Sequence, residues 1–349
     1  MPRLKRSDPS QPGITRRKRG KGFEYFLSST GGKVTDPEML SRIRNLVIPP
    51  AWTEVWICPH PNGHLQAVGV DAAGRKQYLY HPQWREAKDR EKFDHMVEFA
   101  RALPRAREVC AEHLRGDGLT RRRVLACAFR LLDRGFFRVG SEEYAEQNDT
   151  YGLATIQKKH VTVDGDVIVF DYASKGGKRR IQSVVDPEVA EVVAALRRRR
   201  SGGSELLAYK EGGRWRDVRS GDINDYVRDV MHADFTAKDF RTWNATVLAA
   251  VAEAVAGEAA GSKTARKRVI SHAVRETAHY LGNTPAVCRT SYIDPRVFDR
   301  FNSGWTIGWL DELGNVQAYG QLSTQGRVER AVLDLLEEHR SSPAVRKVA

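Results

Sequence analysis

The sequence predicts an α+β fold, in which a small N-terminal β-sheet domain precedes a larger, mainly helical domain with an embedded antiparallel sheet. Alternating apolar residues, separated by Gly, Asn and Pro, predict strands in the first part of the chain. From about Arg90 onward, apolar residues recur at the three- and four-residue spacing of amphipathic helices. With 349 residues, the chain is long enough to build two hydrophobic cores.

The first part of the chain is divided into a basic arm and a β domain. Residues 1–22 carry many Arg and Lys residues between Gly and Pro, which predicts a disordered arm that binds a polyanion or is merely solvated. Residues 23–90 predict the β domain. One short helix, DPEMLSRIRNL, interrupts it and starts with Asp36 as the cap and Pro37 in the first turn. The predicted strands are GFEYFLSST, EVWICPH, HLQAVGV and KQYLYH.

Residues 91–349 form the predicted helical domain. Its helical segments are DHMVEFARALPRAREVCAEHL, RRRVLACAFRLLDRG, DPEVAEVVAALRRRR, KDFRTWNATVLAAVAEAV and GRVERAVLDLLEEHR. Between the second and third of these lies a β insert, ATIQKKHVTVDGDVIVFDYASKGGKRRIQSVV. Its strands alternate, and the pairs Asp164-Gly165 and Gly176-Gly177 predict hairpin turns.

The charge of the chain indicates a polyanionic partner. The formal net charge is +13, from 57 Lys and Arg against 44 Asp and Glu. Solvation of the surface does not require such an excess, so nucleic acid is favoured over a membrane. No apolar run approaches the roughly 20 residues that span a bilayer, and no signal-peptide pattern opens the chain. We therefore expect a cytoplasmic protein that binds nucleic acid.

Metal and nucleotide cofactors are not expected. The four cysteines are scattered without metal-ligand spacing and are expected to be reduced thiols: Cys58, Cys110, Cys127 and Cys288. The histidines lack paired spacing such as H-E-x-x-H. The segment GEAAGSKT at 257–264 resembles a phosphate-binding loop. Its glycines lie too close together, however, and a predicted helix precedes it where the loop needs a strand.

Polar residues at the ends of predicted elements form a candidate site for phosphoryl transfer. They are Arg138 just past a helix, Lys175 in the turn SKGGK, Arg241 in the first turn of a helix, and Asn283 and Tyr292 in LGNTPAVCRTSYIDP. Guanidinium groups can bind non-bridging oxygens while charge builds on phosphorus. A lysine can protonate a leaving oxygen, and a tyrosine can attack phosphorus if cations stabilise its phenolate. Taken singly, each residue is better explained as a solvated charge or a packed ring, and only the set together favours this chemistry.

Several long segments resemble one family of enzymes. FFRVGSEEYAEQNDTYGLATIQKKHV, KDFRTW and LGNTPAVCRTSYI resemble the catalytic segments of type IB DNA topoisomerases, in the compact branch of poxvirus and bacterial enzymes. IPPAWTEVWICPHPNGHLQAVGVDAAGRKQYLYHPQWR resembles the N-terminal domain of that branch. The resemblance runs in order from about residue 23 to residue 310.

The resemblance implies a role for each candidate residue. Tyr292 attacks a DNA phosphodiester, forms a 3′-phosphotyrosyl bond and releases a 5′-hydroxyl strand. Arg138 and Arg241 stabilise the transition state, and Lys175 protonates the departing 5′-oxygen. Asn283 stands where poxvirus enzymes carry histidine and bacterial relatives commonly carry asparagine. An amide at this position can donate a hydrogen bond but cannot become cationic.

The resemblance also implies how the enzyme uses DNA. The β domain and the helical domain would form a clamp around duplex DNA, working as a monomer on nucleoid DNA. One phosphodiester is exchanged for another, so supercoils relax and the strand is rejoined without ATP. Gln77, Tyr78 and Tyr80 match positions that approach DNA in the family. The alternative for these residues is an ordinary amphipathic edge strand.

Two other functions compete with this interpretation. A tyrosine recombinase would share the helical fold and the nucleophile, but that class typically has H-x-x-R at the second arginine. Here Lys238 stands where that histidine would be, and recombinases usually carry a helical N-terminal domain. The other alternative is a non-catalytic DNA-binding clamp in which Tyr292 is inert.

Overall fold

The computed structural model of the chain describes residues 3–257, 260–308 and 325–348. The chain divides into two compact units, Met1–Asp94 and His95–Ala349. The first contains an antiparallel sheet and the second is mainly helical with smaller sheets, which confirms the predicted α+β class. The predicted boundary at residue 90 stays a prediction. Part of the loop-like segment GEAAGSKT, residues 258–259, lies outside the described residues.

The first unit is built on a sheet with the strand order β2-β1-β3-β4-β5. Its strands are β1 (Ile14–Arg19), β2 (Gly22–Leu27), β3 (Thr53–Ile57), β4 (Leu65–Val70) and β5 (Lys76–Tyr80). The helix α1 (Pro37–Asn45) begins as predicted, because Asp36 accepts hydrogen bonds from the backbone N–H groups of Glu38 and Met39. The predicted strands of this unit correspond to β2 to β5.

The prediction of a disordered arm is wrong for the stretch that forms β1. This strand pairs with both β2 and β3, and Ile14 is fully buried against Ile43, Ile57 and Ala67. Even Lys5 is attached, since its backbone N–H and C=O bond to Asn62 and His64, each at 2.8 Å. When only neighbouring residues are considered, the basic charge of this segment is its main feature. The strand is instead stabilised by pairing with residues far along the chain.

The second unit is formed mainly by helices. They are α2 (Pro82–Leu114, which begins in the first unit), α3 (Arg121–Gly135), α4 (Glu142–Asn148), α5 (Pro187–Arg198), α6 (Ser220–Met231), α7 (Ala237–Ala256), α8 (Lys263–Leu281), α9 (Pro285–Ser291), α10 (Pro295–Asn302) and α11 (Arg327–Leu336). Each of the helical segments predicted from the sequence overlaps one of these helices, namely α2, α3, α5, α7 or α11. The predicted helical segments did not include α4, α6, α8, α9 or α10.

The embedded sheet consists of β6 (Val161–Asp164), β7 (Val167–Ser174) and β8 (Lys178–Val185), in that order. Its turns contain the predicted glycines, and Gly176 and Gly177 have φ angles of 82° and 71°, a region that favours glycine. Two further antiparallel strand pairs were not predicted: the hairpin of β9 (Ala208–Glu211) with β10 (Arg214–Asp217), and the pairing of β11 (Trp305–Ile307) with the distant β12 (Val345–Lys347).

The helices α7 to α10 surround one apolar cluster. It includes Ala249 of α7, Leu281 of α8, Cys288 of α9 and Phe298 of α10, and the ring of Tyr292 packs against it. All four cysteines of the chain are free and buried. None of the helices in the described ranges is long and apolar enough to cross a membrane. Within those ranges, no three His, Cys, Asp or Glu side chains are placed to hold a metal ion.

Candidate active site

The C-terminal end of α8 organises the site. Its last carbonyl oxygens carry the negative partial charge of the helix dipole and have no partner within the helix. Three arginines from three different elements donate to successive carbonyls there: Arg180 Nη2 to Tyr280 (2.5 Å), Arg241 Nη2 to Leu281 (2.9 Å) and Arg138 Nη2 to Gly282 (2.9 Å). The helix end thus holds a cluster of guanidinium groups that repel one another.

Gly282 makes this convergence possible. It caps α8 in the left-handed conformation, with φ of 63° and ψ of 40°, which a residue with a Cβ adopts at a cost. A Cβ here would also lie 2.7 Å from Nη1 of Arg180 and 3.7 Å from Nη1 of Arg138. The glycine therefore both ends the helix and leaves room for two guanidinium groups.

Arg241 is the most deeply buried of the arginines. The helix α7 begins at Ala237, so Arg241 lies just beyond the first turn in which the sequence placed it. Its side chain donates to the carbonyl of Phe136 at 2.7 Å, and the residue is only 4% exposed. Burial and the nearby charge of Arg138 lower the pKa of Arg241 to about 10, despite the neighbouring Tyr292. It therefore stays cationic at neutral pH.

Tyr292 lies at the C-cap of α9, directly beside Arg241. The guanidinium carbon of Arg241 is 5.1 Å from the centre of the tyrosine ring. Burial raises the pKa of the Tyr292 phenol, but the charge and close approach of Arg241, with the charges of Arg138 and Lys238, outweigh it. The pKa therefore lies below the ordinary value of about 10. This environment stabilises the phenolate.

Arg138 and Asn283 contact each other. Arg138 follows α3, as predicted, and its Nη2 donates to the side-chain oxygen of Asn283. The opposite atom of that amide, Nδ2, is buried and donates to no group in the described part of the chain. The same holds for Nε of Arg241. Buried donors without acceptors are costly, and these two atoms are free to donate to an acceptor from outside the chain.

Lys175 lies apart from this cluster. It occupies the exposed turn between β7 and β8, before Gly176 and Gly177, as predicted. Among the described residues, nothing forms a hydrogen bond or an ion pair with its side chain. The structure therefore brings together Arg138, Arg241, Asn283 and Tyr292, and it leaves Lys175 at the tip of the hairpin.

The predicted DNA-contacting residues lie on β5, the edge strand of the first unit. Tyr78 and Tyr80 are 45% and 40% exposed, and their rings stack with centres 6.2 Å apart. The side-chain amide of Gln77 donates to Asp71 at 2.9 Å. The two rings thus form an exposed aromatic surface on an edge strand.

The sequence interpretation missed Arg180 as part of the site. Its cross-strand partner is Tyr172, a buried residue, so it lies on the inner face of the sheet. Arg180, Gln182 and Val184 are every second residue of β8 and so share one face of the strand. Counting from the predicted Gly176-Gly177 turn could have placed Arg180 on the same face as the apolar Val184. Lys238 was noticed only as a replacement for histidine, but its charge also lowers the pKa of Tyr292.

Comparison with known proteins gives two matching families. The family described as "Eukaryotic DNA topoisomerase I, catalytic core" matches residues 81–303. The family described as "Bacterial DNA topoisomerase IB, N-terminal domain" matches residues 22–71. The second match lies in the first unit, and the first match covers most of the second unit.

Individual relatives agree with these matches. The chain is 32% identical to DNA topoisomerase 1B of Acanthamoeba polyphaga mimivirus, over 80% of this chain and 85% of the relative. It is 22% identical to DNA topoisomerase 1B of vaccinia virus (strain Copenhagen), over 66% of this chain and 71% of the relative. The chain is 27% identical to DNA topoisomerase 1 of Daucus carota, but the matched region covers only 46% of this chain and 20% of that protein.

Proposed function

The chain belongs to the type IB DNA topoisomerase family, and from that premise we propose how it cuts and rejoins one strand of duplex DNA. Its function is that of a type IB topoisomerase. This membership leaves no support for the tyrosine recombinase and the non-catalytic clamp. The observation that carries the proposed mechanism is the convergence of Arg138, Arg241, Asn283 and Tyr292 around the end of α8.

The Tyr292 oxygen is the nucleophile. It attacks the phosphorus of a phosphodiester, and the bond from phosphorus to the 5′-oxygen breaks, which leaves a 3′-phosphotyrosyl link. The lowered pKa of the phenol supports this role, because a tyrosine reacts as the phenolate. Its position beside Arg241 means that a phosphate bound by that guanidinium would lie next to the attacking oxygen.

Arg138, Arg241 and Asn283 stabilise the charge that builds on the non-bridging oxygens. The buried donors without acceptors, Nε of Arg241 and Nδ2 of Asn283, support this role, because a phosphate supplies acceptors. Donors fixed in place before the reaction need no reorganisation, and each such donor contributes about 10²- to 10³-fold to the rate. An asparagine contributes a hydrogen bond here and no charge.

Lys175 is the general acid that protonates the departing 5′-oxygen. Its place at an exposed hairpin tip, without a hydrogen-bond partner among the described residues, supports a side chain that is free to reach DNA. Rejoining runs the same steps backwards, with the 5′-hydroxyl as the nucleophile and Tyr292 as the leaving group. One phosphodiester replaces another, so no energy from ATP is required. The guanidinium groups supply positive charge and Lys175 supplies the proton, so we propose that no metal ion takes part.

The two units together bind duplex DNA as a clamp. The net charge of +13 supports binding to the phosphate backbone. On β5, the exposed rings of Tyr78 and Tyr80 and the neighbouring Gln77 contact the duplex. We propose that the enzyme acts as a monomer in the cytoplasm, on nucleoid DNA.

Relaxation of a supercoiled plasmid in EDTA and without ATP tests the proposed function. The wild-type protein relaxes the plasmid, and Tyr292→Phe binds it without relaxing it, because only the nucleophilic oxygen is removed. Tyr209→Phe, which changes a buried tyrosine of β9, is the matched control and relaxes normally. Wild-type activity that is lost under chelation and restored only by a metal ion would contradict the mechanism.

A further inference from the structure

Arg180 connects the hairpin that carries Lys175 to the end of α8. It lies on β8 opposite Tyr172. Its Nη2 donates to the carbonyl of Tyr280 at 2.5 Å, and its Nε donates to the side chain of Gln182. Gln182 in turn donates to the carbonyl of Gly135, at the end of α3, at 2.8 Å. The inner face of β8 is thereby tied to two helix ends.

Arg180 is held without a carboxylate partner. Its neighbour Arg179 points to the outer face, where it forms a bidentate ion pair with Asp171 at 2.6 and 2.8 Å. No Asp or Glu in the described part of the chain lies within salt-bridge distance of Arg180. Burial lowers the pKa of Arg180, and the adjacent Arg138 lowers it further. Its guanidinium is held instead by the carbonyl of Tyr280 and the side chain of Gln182, so its bonds serve to join β8 to the end of α8.

The link through Arg180 bears directly on Lys175. In the described residues, no other hydrogen bond between side chains or backbone joins β7 or β8 to α8. The same helix end leads directly to Asn283 and, through the short helix α9, to Tyr292. Among the hydrogen bonds of the described residues, this guanidinium is therefore the direct link between the hairpin and the helix end that precedes the nucleophile.

We propose that Arg180 is a positioning residue for the general acid: it holds the β7–β8 hairpin on the end of α8, so that Lys175 meets the 5′-oxygen as that oxygen departs. The inference rests on the proposed function, in which Lys175 supplies the proton. In this step the Tyr292 oxygen forms a bond to phosphorus while the bond from phosphorus to the 5′-oxygen breaks. That oxygen keeps the electron pair and takes a proton from the ammonium of Lys175.

A sulfur-substituted substrate separates positioning of the acid from binding of the phosphate. The cleavage site is first mapped with the wild-type protein, and a duplex is then made with a 5′-bridging phosphorothiolate at that site. A thiol has a pKa of about 8.5 and leaves as the thiolate without a proton. A variant that lacks only proton transfer therefore regains its rate on sulfur. A variant that has lost contact with the phosphate does not.

The expected results are specific to Arg180. On the ordinary duplex, single-turnover cleavage by Arg180→Ala falls about 10²-fold, as for a misplaced catalytic group. On the sulfur duplex it returns to within a few-fold of the wild type. The double variant Lys175→Ala/Arg180→Ala is no slower than Lys175→Ala on the ordinary duplex, because no acid is left to position. Arg179→Ala, on the outer face, behaves as the wild type on both substrates.

Two results would overturn the inference: Arg180→Ala that stays slow on sulfur, or a double variant in which the two losses multiply. If Arg180→Ala does not fold, as judged by thermal melting, Arg180→Gln replaces it and keeps one donor on a similar stem. The proposed function fails separately. If sulfur does not rescue Lys175→Ala itself, then Lys175 is not the acid. If sulfur rescues Lys175→Ala but not Arg180→Ala, only the role of Arg180 is refuted.

Discussion

The guanidinium carbon of Arg241 lies 5.1 Å from the centre of the Tyr292 ring, and the same arginine is anchored to the carbonyls of Phe136 and Leu281. The anchors come from the segment after α3 and from the end of α8. Arg241 therefore fixes a positive charge beside the phenol before DNA arrives. The cation and Tyr292, the proposed nucleophile, belong to one preorganised unit.

Removal of Arg241 should raise the pKa of Tyr292. The charge of Arg241 is the main influence that lowers this pKa against the effect of burial, so its loss leaves burial to dominate. We expect Arg241→Ala to move the titration of the phenol, followed by ultraviolet absorbance as a difference from the matching Tyr292→Phe protein, to higher pH. The cleavage rate should fall by about 10²- to 10³-fold.

Arg241→Lys is the control for that experiment, because it keeps a positive charge near the ring. Its titration should lie between those of the wild type and Arg241→Ala. An unchanged titration in Arg241→Ala would mean that this arginine does not stabilise the phenolate.

The strand β1 should be essential to the first unit, although the sequence suggested a disordered arm. Ile14 is fully buried between strands, so Ile14→Ala should lower the free energy of unfolding by about 2–5 kcal/mol. Lys18→Ala, an exposed position of the same strand, should change it by less than about 0.5 kcal/mol. Urea denaturation measures both. Equal free energies of unfolding for the two variants would instead support the prediction that this segment is a disordered arm.

Glu253 should make stability fall as the pH rises. It lies on α7 with 1% exposure, and its Oε1 has no partner among the described residues. Burial raises its pKa well above the ordinary value, and the charge of Arg289 offsets this only in part. Above the ordinary pKa of glutamate, about 4.3, the unfolded chain loses the proton while the folded chain keeps it. Stability therefore decreases with pH until the folded carboxyl also ionises.

Glu253→Gln removes this dependence, because the amide has a similar shape and does not ionise. The variant should be more stable than the wild type at pH 7, with a flatter profile from acidic to neutral pH in urea denaturation. Glu276→Gln, at an exposed position of α8, should keep the wild-type profile. A Glu253→Gln profile as steep as that of the wild type would show that the carboxylate is ionised in the fold.

DNA binding should weaken steeply with salt. Each phosphate neutralised contributes about −0.9 to the slope of log K against log salt, and the excess of positive charge predicts several such contacts. Fluorescence anisotropy of a labelled duplex with Tyr292→Phe, which cannot cleave, measures the slope directly. A nearly flat dependence would rule out the encircling clamp.

The sequence predicted those elements whose signals are local. The capped start of α1 at Asp36 and the glycine turn after Lys175 depend on neighbouring residues alone. In β1, by contrast, the stabilising partners are distant strands, so a run of basic residues resembled a disordered arm. Pairing that is distant in sequence leaves little trace in a local window.

The candidate site was predictable in its residue types and only partly in its geometry. Motifs that resemble a known family identified Tyr292 and its companions. That three arginines share the carbonyls at the end of α8 could not be seen in the motifs, because those acceptors are backbone atoms. Arg180 was missed for this reason. It donates to the backbone carbonyl of Tyr280, and any residue at position 280 would offer the same acceptor.

Mass spectrometry of the trapped covalent complex tests the central claim most directly. The protein is incubated with a nicked duplex whose short 5′-hydroxyl fragment diffuses away after cleavage, and the complex is digested to peptides. We predict that the oligonucleotide is attached through its 3′-phosphate to the peptide that contains Tyr292, and that Tyr292→Phe gives no adduct. Attachment through a 5′-phosphate, or to a different residue, would contradict the account.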